Sequence, residues 1–286
     1  MSFESMAEWC KAGADKGLFE AAVAEEMADG GLGRDEVLGK MSRLWSVMKE
    51  SAKNYDGDLR SQSGLSGGDA AKFKAYKSAF FGDFLSSVIY YALAIAESNA
   101  CMKCIVASPT AGSCGVLPAV LIPFAARAGG SAEGEAKIIE ALFVSGGIGE
   151  VIAKKASIAG AECGCQAEIG TASAMAAGAL AYLQGGDAET VCNACAIAMK
   201  GLLGLVCDPV AGLVEVPCVK RNVIGAVNAV TSADLALSGI KSRIPADEVF
   251  EAMKSVGLSL PKSLKETAEG GLAATATARA LQAALL

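Results

Sequence analysis

Histidine is absent from this chain of 286 residues. Imidazole is the commonest general base of enzymes and a frequent metal ligand. Its absence leaves the chain without a Ser–His–Asp triad or a histidine-containing zinc site of its own. Any chemistry within the chain must therefore use thiols, carboxyl groups, amines or hydroxyl groups.

Basic runs and long apolar runs are also missing. The 25 basic and 31 acidic residues give a net charge of −6, which disfavours nucleic acid and an anionic membrane surface as partners. The uncharged stretch at residues 169–184 is rich in small residues and too short to cross a bilayer. The opening MSFESMAEWCKAG lacks the apolar core of a signal peptide, so we expect a cytoplasmic protein without a membrane anchor.

The residues that are abundant are apolar and small. Hydrophobic residues make up 52% of the chain and 33 residues are glycine, whereas only 6% are aromatic. Apolar residues recur at helical spacing, and strand-like alternation is scarce. The pattern predicts a mainly α-helical fold with close helix packing, in which a helical N-terminal region (1–59) precedes the main domain (60–286). The clearest helices are expected at residues 36–52, 84–99, 141–153, 188–201, 223–237 and 247–256.

Three segments rich in Gly, Ser or Pro interrupt the helical pattern. They are SGLSGGDAAK at residues 63–72, SPTAGSCGVLP at residues 108–118 and CDPVAGLVEVPC at residues 207–218. This composition is typical of loops. The first two segments also have backbone amides that are free to meet a ligand, although a purely structural turn would have the same composition.

The ten cysteines are many for a cytoplasmic chain of this size, where disulfides are rare. Cys192, Cys195 and Met199 lie at positions i, i+3 and i+7 of a predicted helix, which favours a role in the core. The sequence assigns no chemistry to four others, although two of them form a CxxC motif: Cys10, Cys101, Cys104 and Cys114.

Three further cysteines each adjoin a feature that breaks helices. Cys165 lies in GCQAEIG, Cys207 in CDP and Cys218 in VPC, and loops of this kind are able to turn sulfur atoms towards a common point. The intervals of 42 and 11 residues do not match a zinc ribbon, and no histidine completes a zinc set. From spacing alone, a ligand role and a structural role both remain open.

Four long blocks of the sequence resemble the alpha chain of the iron–sulfur-dependent L-serine dehydratases. Two are the segments at residues 63–72 and 108–118; the others are IAGAECGCQAEIGTASAMAA at residues 158–177 and LLGLVCDPVAGLVEVPCVKRN at residues 202–222. The likeness spans roughly residues 55–272 and is weaker before residue 56. It implies an L-serine ammonia-lyase, a carbon–oxygen lyase that converts L-serine to pyruvate and ammonia.

By residue-to-residue match with that family, Cys165, Cys207 and Cys218 would hold a [4Fe–4S] cluster, leaving one iron open for the substrate hydroxyl. Cys163 stands where the family usually has glycine and is the alternative first ligand. Some single-chain relatives close the open iron with a C-terminal cysteine, whereas this sequence ends in ARALQAALL. The resemblance also implies a beta chain as partner and an oligomeric assembly.

The matched loops are the predicted substrate site, because amide and hydroxyl donors suit the carboxylate of serine. The candidate substrate residues are Ser63, Gly64, Ser66, Gly67, Ser108, Thr110, Ala111, Gly112, Ser113 and Asn99. Glu168, Asp208 and Asn222 lie in the matched blocks and are predicted to orient ligands or substrate.

The general base is the open part of this hypothesis. Lys154 and Lys72 are the candidates within the chain, with Lys155 and Lys220 as further nearby lysines, because burial lowers the pKa of an amine. The resemblance offers another source, a histidine-containing loop of the beta chain, and we favour that source.

Three other functions fit parts of the pattern. SGGIGEVIAKK at residues 145–155 would suit a pyridoxal-phosphate dehydratase, but the α/β context of such an enzyme is missing. A similar cluster would also serve an L-cysteine desulfidase. A non-catalytic iron–sulfur or zinc protein would be expected to have four protein ligands.

Overall fold

The computed structural model describes residues 3–285, in which thirteen α-helices are joined by loops and short irregular turns. The helices are α1 (Met6–Lys16), α2 (Leu18–Gly30), α3 (Arg34–Lys53), α4 (Asp69–Ala75), α5 (Asp83–Ala100), α6 (Val116–Arg127), α7 (Ala132–Lys155), α8 (Gly160–Cys163), α9 (Thr171–Leu183), α10 (Ala188–Lys200), α11 (Cys218–Leu237), α12 (Ala246–Ser259) and α13 (Ala276–Leu285). The described residues form no β-strand, and a single isolated bridge joins Cys207 to Lys265. The prediction of a mainly α-helical fold is confirmed.

The ends of the helices follow local sequence signals. Asp187 caps α10 by accepting a hydrogen bond from the backbone N–H of Thr190 at 2.8 Å, as a residue at an N-cap does. In contrast, α11 begins at Cys218 rather than at residue 223. Val219 is the only apolar residue among the four that follow Cys218, so hydrophobic periodicity alone does not reveal this start. Pro217 lies immediately before the first turn, where a missing N–H leaves no hydrogen bond unmade.

The central helix is α9, whose residues 171–181 are all buried. Its small side chains let neighbouring helices approach closely, and a Cβ atom on Gly178 would lie only 2.3 Å from Cδ1 of Ile148 in α7. A half-buried hydrogen bond of 2.8 Å from Nδ2 of Asn228 to Oγ of Ser173 joins α9 to α11. The helices around α9 are therefore held at short distances by both packing and polar contacts.

The N-terminal helices pack on the same core as the rest of the chain. The indole ring of Trp9 in α1 packs directly against Gly147 of α7. A Cβ atom on Gly147 would lie only 2.8 Å from this ring, so a larger residue would disturb the contact. Trp45 of α3 donates a 2.7 Å hydrogen bond from Nε1 to Glu135 of α7. The division after residue 59 stays a prediction about domain organisation, and no helix within residues 3–285 has the length and apolarity to cross a membrane.

Candidate active site

Three cysteines from distant parts of the sequence lie near one another in one largely buried region. Cys165 lies between α8 and a π-helical turn, Cys207 lies in the loop after α10, and Cys218 is the first residue of α11. The side chains of Cys165 and Cys207 are only 3% and 4% exposed. After burial, electrostatic interactions with Cys165 and Cys218 contribute to the raised pKa of Cys207, so the three thiols are neighbours. We call this the three-cysteine pocket.

Burial is the largest cause of the raised thiol pKa values in this pocket. It raises the pKa of Cys165 and of Cys218 to about 12, and it raises that of Cys207 as well. The charge of Glu168 raises all three further, whereas Arg221 lowers the pKa of Cys165 and of Cys218. A pocket of this kind disfavours free thiolates, and a bound cationic group would offset that cost.

The spacing of the sulfur atoms distinguishes between kinds of metal site. Within the described residues, the three sulfur atoms do not all lie within 4.8 Å of one another. Thiolates on one zinc ion lie about 3.8 Å apart, because each Zn–S bond is about 2.3 Å long. An iron–sulfur cluster takes one thiolate per iron and separates its ligands further. The donor set, three thiols without histidine, therefore fits such a cluster better than a single zinc ion.

Gln166 fixes the position of Cys165. Its side chain is fully buried, its Nε2 donates to the carbonyl of Met253 in α12 at 3.0 Å, and its Oε1 accepts from the N–H of Gly204 at 2.9 Å. Its own backbone N–H donates to the carbonyl of Leu205 at 2.9 Å. The segment of the first cysteine is thereby attached to the loop that leads to the second.

Cys207 is held by the segment that follows α12. Its N–H donates to the carbonyl of Leu264 at 2.9 Å, and its carbonyl accepts from the N–H of Glu266 at 2.8 Å. Glu266 has a φ of 64°, an uncommon conformation for a residue other than glycine. Both backbone bonds of Cys207 thus come from a part of the chain about sixty residues further on, which spacing does not reveal.

Glu168 lies in a π-helical turn, a wide turn that is often found at functional sites. Its Oε1 accepts a 2.7 Å hydrogen bond from Oγ1 of Thr110, and its Oε2 lies 4.0 Å from Sγ of Cys207. A Cβ on Gly112 or Gly160 would lie within 3.0 Å of the carboxylate, so a side chain at either position would displace Glu168. Burial raises the pKa of Glu168, as expected of a carboxyl group between a loop and the three-cysteine pocket.

Asn222 attaches the predicted substrate loop to the third cysteine. It is 1% exposed, and its Nδ2 donates to the carbonyls of Gly112 at 2.7 Å and Cys218 at 2.9 Å. Asn99 supports the same loop, because its Nδ2 donates to the carbonyl of Ala111 at 3.2 Å. The prediction that Asn222 orients this region agrees with its contacts.

Both candidate substrate loops carry polar groups without a protein partner. Ala111 and Gly112 open a short 3-10 helix, so their N–H groups have no acceptor within that helix. The buried hydroxyl groups of Ser108 and Ser66 have no hydrogen-bond partner among the described residues. Buried polar groups usually have partners, so these donors suit a polar ligand.

The remaining hydroxyl groups of the loops are engaged within the protein. Thr110 and Ser113 bond each other at 3.1 Å. Glu215, which is 6% exposed, accepts from the hydroxyl of Ser61 at 2.6 Å and from that of Ser63 at 2.8 Å. The contact with Glu215 attaches the loop at residues 63–68 to the segment that precedes the third cysteine. Ser63 therefore has a clear role in positioning this loop.

The two candidate lysines contact carboxylates outside the three-cysteine pocket. Lys154 pairs with Glu150 at 2.6 Å, one turn earlier in α7. Lys72 has a side chain that is 76% exposed and pairs with Asp69 at 2.9 Å, and Lys220 pairs with the same carboxylate. These contacts give the lysines structural roles, and a catalytic role for Lys154 or Lys72 stays a prediction.

Arg221 is a site residue that the sequence reasoning missed. It lies one turn into α11, is 14% exposed, and donates to Oδ1 of Asp208 at 2.8 Å and to the carbonyl of Val206 at 2.7 Å. Oδ2 of Asp208 in turn accepts from the N–H of Leu272 at 2.7 Å. The position of a basic residue three places after Cys218 was the available signal.

Cys163 faces a different part of the molecule. A Cβ on Gly257 of α12 would lie 2.6 Å from its sulfur atom, so the thiol is packed against that helix. Burial raises the pKa of Cys163, and the charges that act on it are those of Lys265, Glu162 and Lys254. This placement favours Cys165 over Cys163 as the first candidate ligand.

The helical fold brings buried thiols together beside two loops that carry hydrogen-bond donors. These features define a protein with a candidate metal site lined by thiols. The family model of the serine dehydratase alpha chain matches residues 14–273, and the chain belongs to this family. It is 46% identical to the probable L-serine dehydratase alpha chain of Bacillus subtilis strain 168, over 93% of this chain and 88% of the relative.

Two further relatives differ in length. The probable L-serine dehydratase alpha chain of Latilactobacillus sakei is 54% identical over 70% of this chain and 94% of the relative. The L-serine dehydratase of Streptomyces coelicolor is 38% identical over 91% of this chain but only 58% of the relative. That longer protein therefore contains a large segment that this chain does not match.

Proposed function

We propose that the chain is the alpha chain of a [4Fe–4S]-dependent L-serine dehydratase, which converts L-serine to pyruvate and ammonia. The observation that carries this proposal is the proximity of Cys165, Cys207 and Cys218 in one largely buried region beside two loops with free donors. The relatives named L-serine dehydratase support the same activity.

The three cysteines would hold the cluster, with one thiolate on each of three irons. When bound, the cluster supplies a Lewis acid that helps hydroxide, a poor leaving group, to depart. Arg221 is placed to balance the negative charge of the ligands, since it already lowers the pKa of Cys165 and of Cys218. Its ion pair with Asp208 holds the guanidinium in place.

The loop at residues 108–113 is the proposed site for the carboxylate of serine. The N–H groups of Ala111 and Gly112 and the hydroxyl of Ser108 are the donors without a protein partner. Asn222 keeps this loop beside the third cysteine. The carboxylate and the hydroxyl of one small substrate would then be bound by neighbouring groups.

We propose that the base comes from a partner, the beta chain. This chain has no histidine, and Lys154 and Lys72 already pair with carboxylates. The alpha chain designation of the family implies a second chain, and the longer relative from Streptomyces coelicolor has room for an equivalent domain. The working enzyme would be a heterodimer or a larger oligomer of such pairs.

The test is an anaerobic preparation of the chain alone and together with its beta chain. We expect about four irons and four acid-labile sulfides per alpha chain, and pyruvate from L-serine only when both chains are present. Stoichiometric zinc, or bound pyridoxal phosphate, would overturn the proposal that the chain holds an iron–sulfur cluster.

The same preparation separates the proposed reaction from a related one. Equal amounts of L-serine and L-cysteine are offered to the complex, and pyruvate and sulfide are both measured. Faster release of sulfide from L-cysteine than of pyruvate from L-serine would make the protein a desulfidase. Full iron loading without either activity, in the presence of the beta chain, would leave a non-catalytic iron–sulfur protein.

A further inference from the structure

We propose that Cys10 and Cys192 are a modification site, at which a disulfide oxidant links α1 to α10 through a reversible disulfide. Their sulfur atoms lie 2.8 Å apart although the residues are 182 positions apart in the sequence. A disulfide bond is about 2.05 Å long, so closing it requires an approach of about 0.8 Å. Both cysteines are reduced in the structure.

The pair is accessible to a small reagent. Cys10 and Cys192 are both half-buried, and both line an open cavity of about 390 Å³ between α1, α10 and the start of α12. Cys195 is one turn further along α10, is fully buried, and donates to the carbonyl of Ala174 at 3.4 Å. Position on the helix face therefore separates a reagent-accessible thiol from a packed one.

The two thiols have different roles in the proposed reaction. A hydrogen bond from Cys192 lowers the pKa of Cys10, and the same contact raises that of Cys192. Asp247 and Asp187 act on Cys10 in the opposite direction, since their charges raise its pKa. We assign Cys10 as the attacking thiol and Cys192 as the resolving thiol, and the reverse order would give the same disulfide.

The reaction is a two-step thiol–disulfide exchange with a small disulfide such as glutathione disulfide. The thiolate of Cys10 attacks one sulfur of the oxidant, whose S–S bond breaks and releases one thiolate with the electron pair. Cys192 then loses its proton, attacks the sulfur of Cys10 and releases the second thiolate. Two protein thiols are oxidised to one disulfide, the oxidant is reduced to two thiols, and the two protons pass to the released thiolates.

The disulfide would strengthen an existing contact of α1 with α10 and α12. The N–H groups of Met6 and Ala7 at the start of α1 donate to the carboxylate of Asp247 at 2.9 and 3.1 Å. Asp247 belongs to the first turn of α12, so α1 already touches α12 at one end and α10 along its side. A covalent link at this joint would restrict the N-terminal helix without touching the three-cysteine pocket.

The test uses the full chain, prepared anaerobically and then treated with glutathione disulfide. Free thiols are blocked with N-ethylmaleimide, and the products are examined by non-reducing gel and by mass spectrometry after digestion with trypsin and Glu-C. We expect two fewer N-ethylmaleimide adducts than in the untreated chain, faster migration because a long loop is closed, and a linked peptide whose fragments assign the bond to Cys10 and Cys192. Dithiothreitol should reverse all three changes.

Matched variants make the result decisive. Cys10→Ser and Cys192→Ser should each abolish the faster-migrating form, whereas Cys104→Ser, which changes an exposed cysteine, should leave it unchanged. A stable glutathione adduct on Cys10 with Cys192 still free would overturn the proposal. A bond between either residue and a different cysteine, or alkylation of both thiols after oxidation as rapid as that of Cys104, would overturn it too.

Discussion

The two groups of cysteines in this molecule differ in the backbone that carries them. The three-cysteine pocket is built from a π-helical turn, a loop and the first turn of α11, each attached to its neighbours by hydrogen bonds. The pair of Cys10 and Cys192 lies on the faces of two regular helices. Irregular backbone holds the thiols of the first group close together without direct contact, as the ligands of a cluster must be. Packed helices bring the two thiols of the second group into contact, as a disulfide requires.

The largest effect is expected when one cysteine of each group is replaced by serine and the two variants are compared. Cys207→Ser should lose the cluster and lower pyruvate formation from serine by more than about 100-fold, because it removes a ligand rather than a supporting residue. Cys192→Ser should keep its iron. Iron and sulfide analysis of both variants, prepared anaerobically, checks this. Equal loss of iron in both would erase the distinction between the two groups.

Exposure to air should affect the two groups differently. Activity of the complex should be lost in air, since clusters and thiolates oxidise, and dithiothreitol alone should not restore it. Iron, sulfide and dithiothreitol together should restore most of the activity. The measurement is pyruvate formation before and after each treatment. Full recovery with dithiothreitol alone would mean that the sensitive group is a thiol pair and not the pocket.

A smaller effect is expected from the carboxyl group beside the pocket. Glu168→Gln keeps the shape of the side chain but removes the charge near Cys207, and we expect activity or cluster retention to fall about 10- to 100-fold. Glu162→Gln is the control, because that carboxylate is exposed and accepts a hydrogen bond from Ser157. The measurements are the iron content and kcat/KM of both variants. Equal values for the two variants would contradict a role of Glu168 in activity or in retention of the cluster.

The smallest effect concerns the helix packing around Cys195, a cysteine that belongs to neither group. Two glycine substitutions test this packing. A Cβ on Gly178 would lie 2.9 Å from its sulfur and 2.3 Å from Ile148, so Gly178→Ala should lower the free energy of unfolding by about 1–3 kcal/mol. Gly146→Ala in α7 meets nothing within 4 Å and should raise it by about 0.5–1 kcal/mol. Urea unfolding of both variants measures the difference. A neutral Gly178→Ala would show that the packing around α9 is loose.

Much of the fold is predictable because hydrophobic periodicity reports which helix faces are buried. The helix expected at residues 36–52 is α3, which spans Arg34–Lys53. The start of α11 was missed because the turn after Cys218 is mostly polar. Periodicity needs several apolar residues at helical spacing, and the single buried Val219 does not supply that signal.

The candidate site was predictable only in part. Helix-breaking residues beside Cys165 and Cys207 indicate loops, and family resemblance makes these cysteines candidate ligands. Lys154 was proposed because it precedes the first cysteine in the sequence, yet its contact is with Glu150. The contact between Cys10 and Cys192 was missed because side chains on two distant helices leave no mark in spacing.

The buried carboxamide of Asn222 has one more consequence. By donating to the carbonyls of both Gly112 and Cys218, it joins the proposed substrate loop to the proposed third cluster ligand. Neither can be displaced while the other stays in place. If the proposed cluster and substrate site are correct, a change that displaces Cys218 would weaken the binding of both.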